Sequence, residues 1–339
     1  MSKLTLKEFF TRQWTRISFV LVSLWVTIAA RHIWDSYNVA RFADMIHGTA
    51  WRPYVNRSFV PFLIRSMESL LPSGFEAWLL GLLERYPFLA AAHSYDTFKV
   101  ERSIYLLINI AALTMFAFAL RRLMRFAGLP ERWSTISVLV AIGSMPAYVT
   151  YVTYIYDGMA LALFTWSLVF LSKEKWTAYL LTFALCIWNK ETAVLLAWIF
   201  LLLYWKELRT GSMKHWVLLA SQGLMTILIL GAIRYTFSDN PGSQMEWHLF
   251  HRKIILFVYT FQGYATLLLL IFLLAYEYKK QRPLFRVGVT VLPILIGSTF
   301  FFGMLDEYRD YYEALPIVAT MVSVSLYNIA RRTQLVEAT

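Results

Sequence analysis

Residues 176–206 read WTAYLLTFALCIWNKETAVLLAWIFLLLYWK. Two apolar runs, 176–188 and 191–206, meet at Asn189-Lys190-Glu191. One continuous lipid-facing helix through both would put two charges near mid-membrane, on the order of several kcal/mol. A tight turn at a membrane surface, or a break facing a cavity, is the more economical reading. Each run then becomes a short span of a helical bundle.

The rest of the chain has the same character. Its 339 residues are 58% apolar and 16% charged, with mean hydropathy +0.52. A soluble domain carries roughly a quarter charged residues. Using about 20 residues per crossing, ten candidate spans emerge: 14–34, 100–120, 135–155, 157–172, 176–188, 191–206, 216–236, 254–276, 287–304 and 314–330. The expected fold class is therefore all-α: a polytopic transmembrane helical bundle of about ten spans. Residues 1–339 form one transmembrane domain, and 35–98 form a large outer loop with membrane-parallel helices. Lys3, Lys7, Arg12 and Arg16 precede the first apolar run as in a signal peptide. No good cleavage site follows, so this run is read as a retained helix.

Basic residues set the expected direction. With the N-terminus inside, one side receives 1–16, 121–134, 173–175, 206–215, 277–286 and 331–339. That side holds 19 Lys/Arg and 6 Asp/Glu, and the other holds 13 and 15. The net charge of +11 thus marks loops beside anionic lipid rather than a nucleic-acid surface. The expected location is a bacterial inner membrane, multi-pass, with both termini cytoplasmic.

Chemistry-bearing residues collect on the opposite side. Residues 58–71 and 75–91 look like helices lying in the interface plane. Asp157 follows a tyrosine-rich stretch, Lys190 and Glu191 sit between two short spans, and His248 and His251 precede the eighth. The segment 305–313 carries Arg309 between acidic and tyrosine residues. Taken singly, each is also explained as a wet loop or a helix-end charge. The single Cys186 rules out a disulfide framework and cysteine-rich zinc sites. No glycine-rich phosphate loop or HExxH pattern is present. His47, His248 and His251 make at best a weak metal set; no cofactor is indicated, and the pattern leaves a divalent cation open.

The stretch Asp35-Ser-Tyr37-Asn-Val-Ala40, with Gly48, Arg52-Pro-Tyr54 and Arg57-Ser-Phe-Val-Pro61, resembles the opening loop of the GT-C glycosyltransferases. Lys190-Glu191-Thr192 and the Arg309-to-Pro316 spacing resemble family features as well. The resemblance implies sugar transfer from a polyprenyl-phosphate or polyprenyl-diphosphate donor to a lipid or glycan acceptor, in cell-envelope glycan biosynthesis. It implies catalysis by Asp35, with Asp44 as fallback. Arg57, Lys190 and Arg309 would hold the donor phosphate, with Asp157, Glu191, His248 and His251 as further substrate contacts. This chain departs from the family pattern: Ser36 stands where many members have a second acid, and no soluble domain follows the last span. A lipid-linked-sugar transporter or flippase, a glycan polymerase or ligase, and a structural membrane subunit stay open as alternatives. The expected partners are the lipid-linked donor, the acceptor and membrane lipids, without nucleic acid.

Overall fold

The segment Asp157–Ser172 is apolar around its whole circumference, and a helix of that kind has to be enclosed. The computed structural model, which describes residues 6–29, 38–86, 99–148, 154–245, 261–303 and 308–337, encloses it. The helices used below are α1 (Leu6–Ala29), α2 (Phe42–His47), α3 (Phe59–Glu68), α4 (Phe75–Arg85), α5 (Lys99–Phe126), α6 (Glu131–Gly143) and α7 (Asp157–Ser172). They continue as α8 (Trp176–Asn189), α9 (Leu195–Leu203), α10 (Met213–Thr236), α11 (Phe261–Ala275), α12 (Val291–Phe302) and α13 (Leu315–Glu337). Twelve residues of α7 are buried, from Asp157 to Leu171. It packs chiefly on α5 and α8. Phe164, Leu168, Phe183, Ile187, Ile199 and Phe200 share one core with α2 and α3. A second core joins Phe19, Val26, Phe116, Leu120, Val138 and Ile142 of α1, α5 and α6.

Gly158 permits the close contact of α7 with α5. A Cβ there would stand 2.2 Å from Asn109 Oδ1. Trp166 Nε1 donates to the Met115 carbonyl at 3.0 Å, and Arg122 lies over the Trp166 ring at 4.6 Å. These pairings advance together along both helices, so α5 and α7 run parallel. The bundle therefore has two chemically distinct ends. Residues 121–132, 173–175, 205–214, 276–286 and 331–332 meet at one, as Arg282 over Phe126 and Arg332 on Glu277 illustrate. Residues 44–58, 154–157, 188–192, 237–244 and 308–313 meet at the other.

Span length departs from the sequence expectation. Among the described residues, three helices are long and apolar enough to cross a membrane: Val100–Phe126, Met213–Thr236 and Pro283–Phe302. The expectation of about ten spans is corrected, and with it the multi-pass inner-membrane placement. The physical reason is length. A helix rises about 1.5 Å per residue, so the 16 residues of α7 cover roughly 24 Å, against a hydrocarbon core of about 30 Å. The 14 residues of α8 cover less, and the run expected at 135–155 is interrupted at Ser144, between Glu131–Gly143 and the short turn Met145–Tyr148. The apolarity of α7 serves burial inside the bundle. Other helices do keep apolar surface outside, as at Leu107 on α5, Ile227 on α10 and Leu268 on α11.

A latch closes the polar end. Asn240 Nδ2 donates to the carbonyls of Gly48 and Ala50 at 2.8 and 2.9 Å. The Arg52 amide donates to Pro241 O at 2.8 Å and its guanidinium to Gly242 O at 2.9 Å. Gly242 has φ +90°, and a Cβ there would lie 2.6 Å from Arg52 O. Gly211 has φ +80° but open space around it. Gly242→Ala should therefore destabilise the chain by at least ~1 kcal/mol more than Gly211→Ala, since it adds a backbone clash to the shared left-handed strain. Thermal unfolding of the two variants in detergent checks this, and equal losses would refute the latch's tight approach.

Candidate functional site

Lys190 follows the last residue of α8, and α8 places it inward. It is 7% exposed. An ammonium moved out of water needs a counter-charge and full hydrogen bonding. Glu313, 3% exposed and just ahead of α13, supplies it: Lys190 Nζ lies 2.9 Å from Glu313 Oε1. The Thr192 hydroxyl donates to the same oxygen. Next in sequence, Glu191 turns toward Arg57, which precedes α3. The guanidinium grips the carboxylate through both oxygens, Nε to Oε2 at 3.1 Å and Nη2 to Oε1 at 2.6 Å. Its remaining Nη1 donates to the Tyr156 hydroxyl. Asn189 Nδ2 donates to the Tyr156 carbonyl at 3.0 Å. Three distant stretches of chain thus converge on Asn189-Lys190-Glu191-Thr192.

Tyrosines wall the cluster. Tyr154 and Tyr156 stack at 5.4 Å with 12° between planes, and Tyr54 lies 5.1 Å from Tyr154. Arg309 sits 3.9 Å above the Tyr154 ring, a cation–π geometry strongest where water is excluded. Asp157 is 5% exposed and accepts from the Tyr154 amide at 2.9 Å through Oδ2. Burial pushes its carboxyl above the ordinary range, tempered by Arg309 and Lys190. Burial would likewise raise Glu191, but Arg57 overrides it and holds the carboxyl at about 2. Burial works against the Lys190 ammonium too, and Glu313 outweighs it, leaving Lys190 above its usual value.

Arg57, Asp157, Lys190, Glu191 and Arg309 therefore share one end of the bundle and one electrostatic neighbourhood. Asp44 does not join them. It lies in α2, where its side chain accepts from Thr49 Oγ1 at 3.0 Å and its carbonyl receives the Thr49 and Ala50 amides. It closes a helix turn. Asp35, His248 and His251 lie outside the described residues. No group of three or more His, Cys, Asp and Glu side chains suited to a metal occurs among the described residues. Glu313, Tyr156, Asn189 and Thr192 are members that the sequence reading did not select. The available signal was charge balance, because a Lys190 confined between apolar runs requires a carboxylate from elsewhere.

Three buried acceptor atoms at this end lack a hydrogen-bond donor among the described residues: Asn56 Oδ1, Asn189 Oδ1 and Glu313 Oε2. Each belongs to, or adjoins, a residue of the two ion pairs. Arg52 Nε, on the latch, is a buried donor in the same condition.

The chain matches no family model, no curated protein and no solved structure. Among the described residues three helices, rather than about ten, are long enough to span, and the GT-C resemblance is corrected. The sugar-transferase assignment built on it falls too, as do the flippase and polymerase alternatives that need the same polytopic scaffold.

Two outcomes follow from the ion pairs. Glu191 gains its partner on folding, so its stabilisation is complete above the unfolded value near 4.5 and disappears as pH falls toward about 2. Unfolding followed from pH 6 to 2 should show this loss, and Glu191→Gln should flatten that part of the profile. An unchanged profile would contradict the pairing. Lys190→Met strands the Glu313 carboxylate and should cost about 3–5 kcal/mol in denaturant unfolding; a cost below ~1 kcal/mol would contradict its burial.

Proposed function

We propose that this chain is a binding protein whose polar end receives a hydroxyl-bearing headgroup of a lipid or glycan, without transferring it. The observation that supports the reading is the set of buried acceptors without donors beside two neutralised ion pairs. A buried acceptor left unpaired costs roughly 1–3 kcal/mol, and a ligand supplying donors removes that cost. Phosphate supplies none when fully ionised. It would also compete with Glu191 and Glu313 for Arg57 and Lys190, whose charges are already matched. A hydroxyl both donates and accepts, so it suits the three orphaned oxygens and Arg52 Nε alike.

The test is thermal unfolding of the purified full chain in an amine-oxide detergent, with octyl glucoside below its micelle concentration or with sodium phosphate added. The glucoside should raise the melting temperature of the wild type, and phosphate should not. Asn189→Leu and Glu313→Gln, which remove one unmatched acceptor each, should abolish the rise. Stabilisation by phosphate instead, or an undiminished glucoside effect in both variants, would overturn the reading.

A further inference from the structure

The other end of the bundle has a different composition. Its segments 121–132, 173–175, 205–214, 276–286 and 331–332 carry fifteen Lys/Arg and four Asp/Glu. Among the described residues, few of these cations are neutralised. Glu131 takes Arg121 and Arg125, and Glu277 takes Lys280 and Arg332. Arg122, Lys214 and Arg282 instead lie over aromatic faces, those of Trp166, Trp176 and Phe126, at 4.6, 4.8 and 4.3 Å. Such stacking fixes the stem of the side chain and leaves the cation's polar rim available.

Interleaved with the cations are large exposed aromatic side chains: Trp133, Trp205, Trp216 and Tyr278. Each sits within two residues of a basic one in sequence: Arg132, Lys206, Lys214 and Lys279. Exposed tryptophan is costly in plain water and favoured at headgroup depth, where the ring has an apolar side and a wet side. Immediately beyond this band come exposed aliphatic residues such as Ile136, Val217 and Leu181. Cations, then aromatics, then aliphatics is the order of polarity met on entering a bilayer from an anionic surface.

We infer that the basic end is a docking surface for the phosphate headgroups of anionic lipid. The unpaired lysines and arginines meet the lipid phosphates, and the four exposed aromatic rings sit among the headgroup glycerols. A nucleic acid would also attract the cations, but the adjoining aliphatic surface has no place against a polyphosphate backbone.

The full chain in a zwitterionic detergent tests this by titration with fluorescent phosphatidylglycerol, phosphatidylcholine, inorganic phosphate and single-stranded RNA. Phosphatidylglycerol should bind in preference to phosphatidylcholine, weaken as salt rises, and resist competition by inorganic phosphate. The combined variant Lys175→Gln, Lys206→Gln, Arg209→Gln and Lys279→Gln changes only exposed side chains. It should keep the wild-type melting temperature in neutral detergent. Its phosphatidylglycerol affinity should fall by about fivefold for each cation in contact, and the matching variant with lysine or arginine exchanged for the other should retain it. Equal affinity for the two lipids, no loss in the glutamine variant, full displacement by inorganic phosphate, or preference for RNA would each overturn the inference.

Discussion

Removing an ammonium from water is tolerable only if a counter-charge is fixed close by, and Lys190 is placed under that requirement by its position between two apolar helices. Glu313 meets it from the turn before the last helix, more than a hundred residues away. One residue on, Glu191 pairs with Arg57 at a more exposed position, reaching back to the first third of the chain. These two pairs tie the stretch before α3, the α8–α9 turn and the start of α13 to one point. The tyrosine wall, the buried Asp157 and the unmatched acceptors are all arranged around that point.

Much of this was legible in the sequence, and the rest failed for identifiable reasons. Helicity and the bounds of α7 follow from apolar run length, and 157–172 is the same in the expectation and the structure. The break at Asn189-Lys190-Glu191 follows from the cost of charges in an apolar run, and the helix does end there. Span number did not follow. An apolar run reports that a helix is surrounded by something apolar, and for α7 that surrounding is other helices rather than lipid. Length separates the cases: the 16 residues of α7 and the 14 of α8 fall short of the roughly 20 that a crossing needs.

At the candidate site, the sequence exposed the cations and Glu191, because charge is conspicuous in an apolar chain. Glu313 was inconspicuous among the acidic residues of 305–313, and only the fold singles it out for Lys190. Tyr156 and Asn189 carry no charge, and their roles depend on where Arg57 and the α8 C-terminus arrive. Asp44 shows the converse. The family resemblance alone selected it, and in the fold the Thr49 hydroxyl hydrogen-bonds its side chain while Gly48 caps its helix.

The claim on which the account rests is that Lys190 and Glu313 form one buried pair. Exchange of the two charges tests it most directly, by comparing the unfolding free energy of Lys190→Glu, Glu313→Lys and the double exchange in the purified full chain. Each single variant, with two like charges buried together, should be severely destabilised, and the double exchange should recover a large part of the loss. Additive losses in the double variant, or single variants that unfold like the wild type, would contradict it.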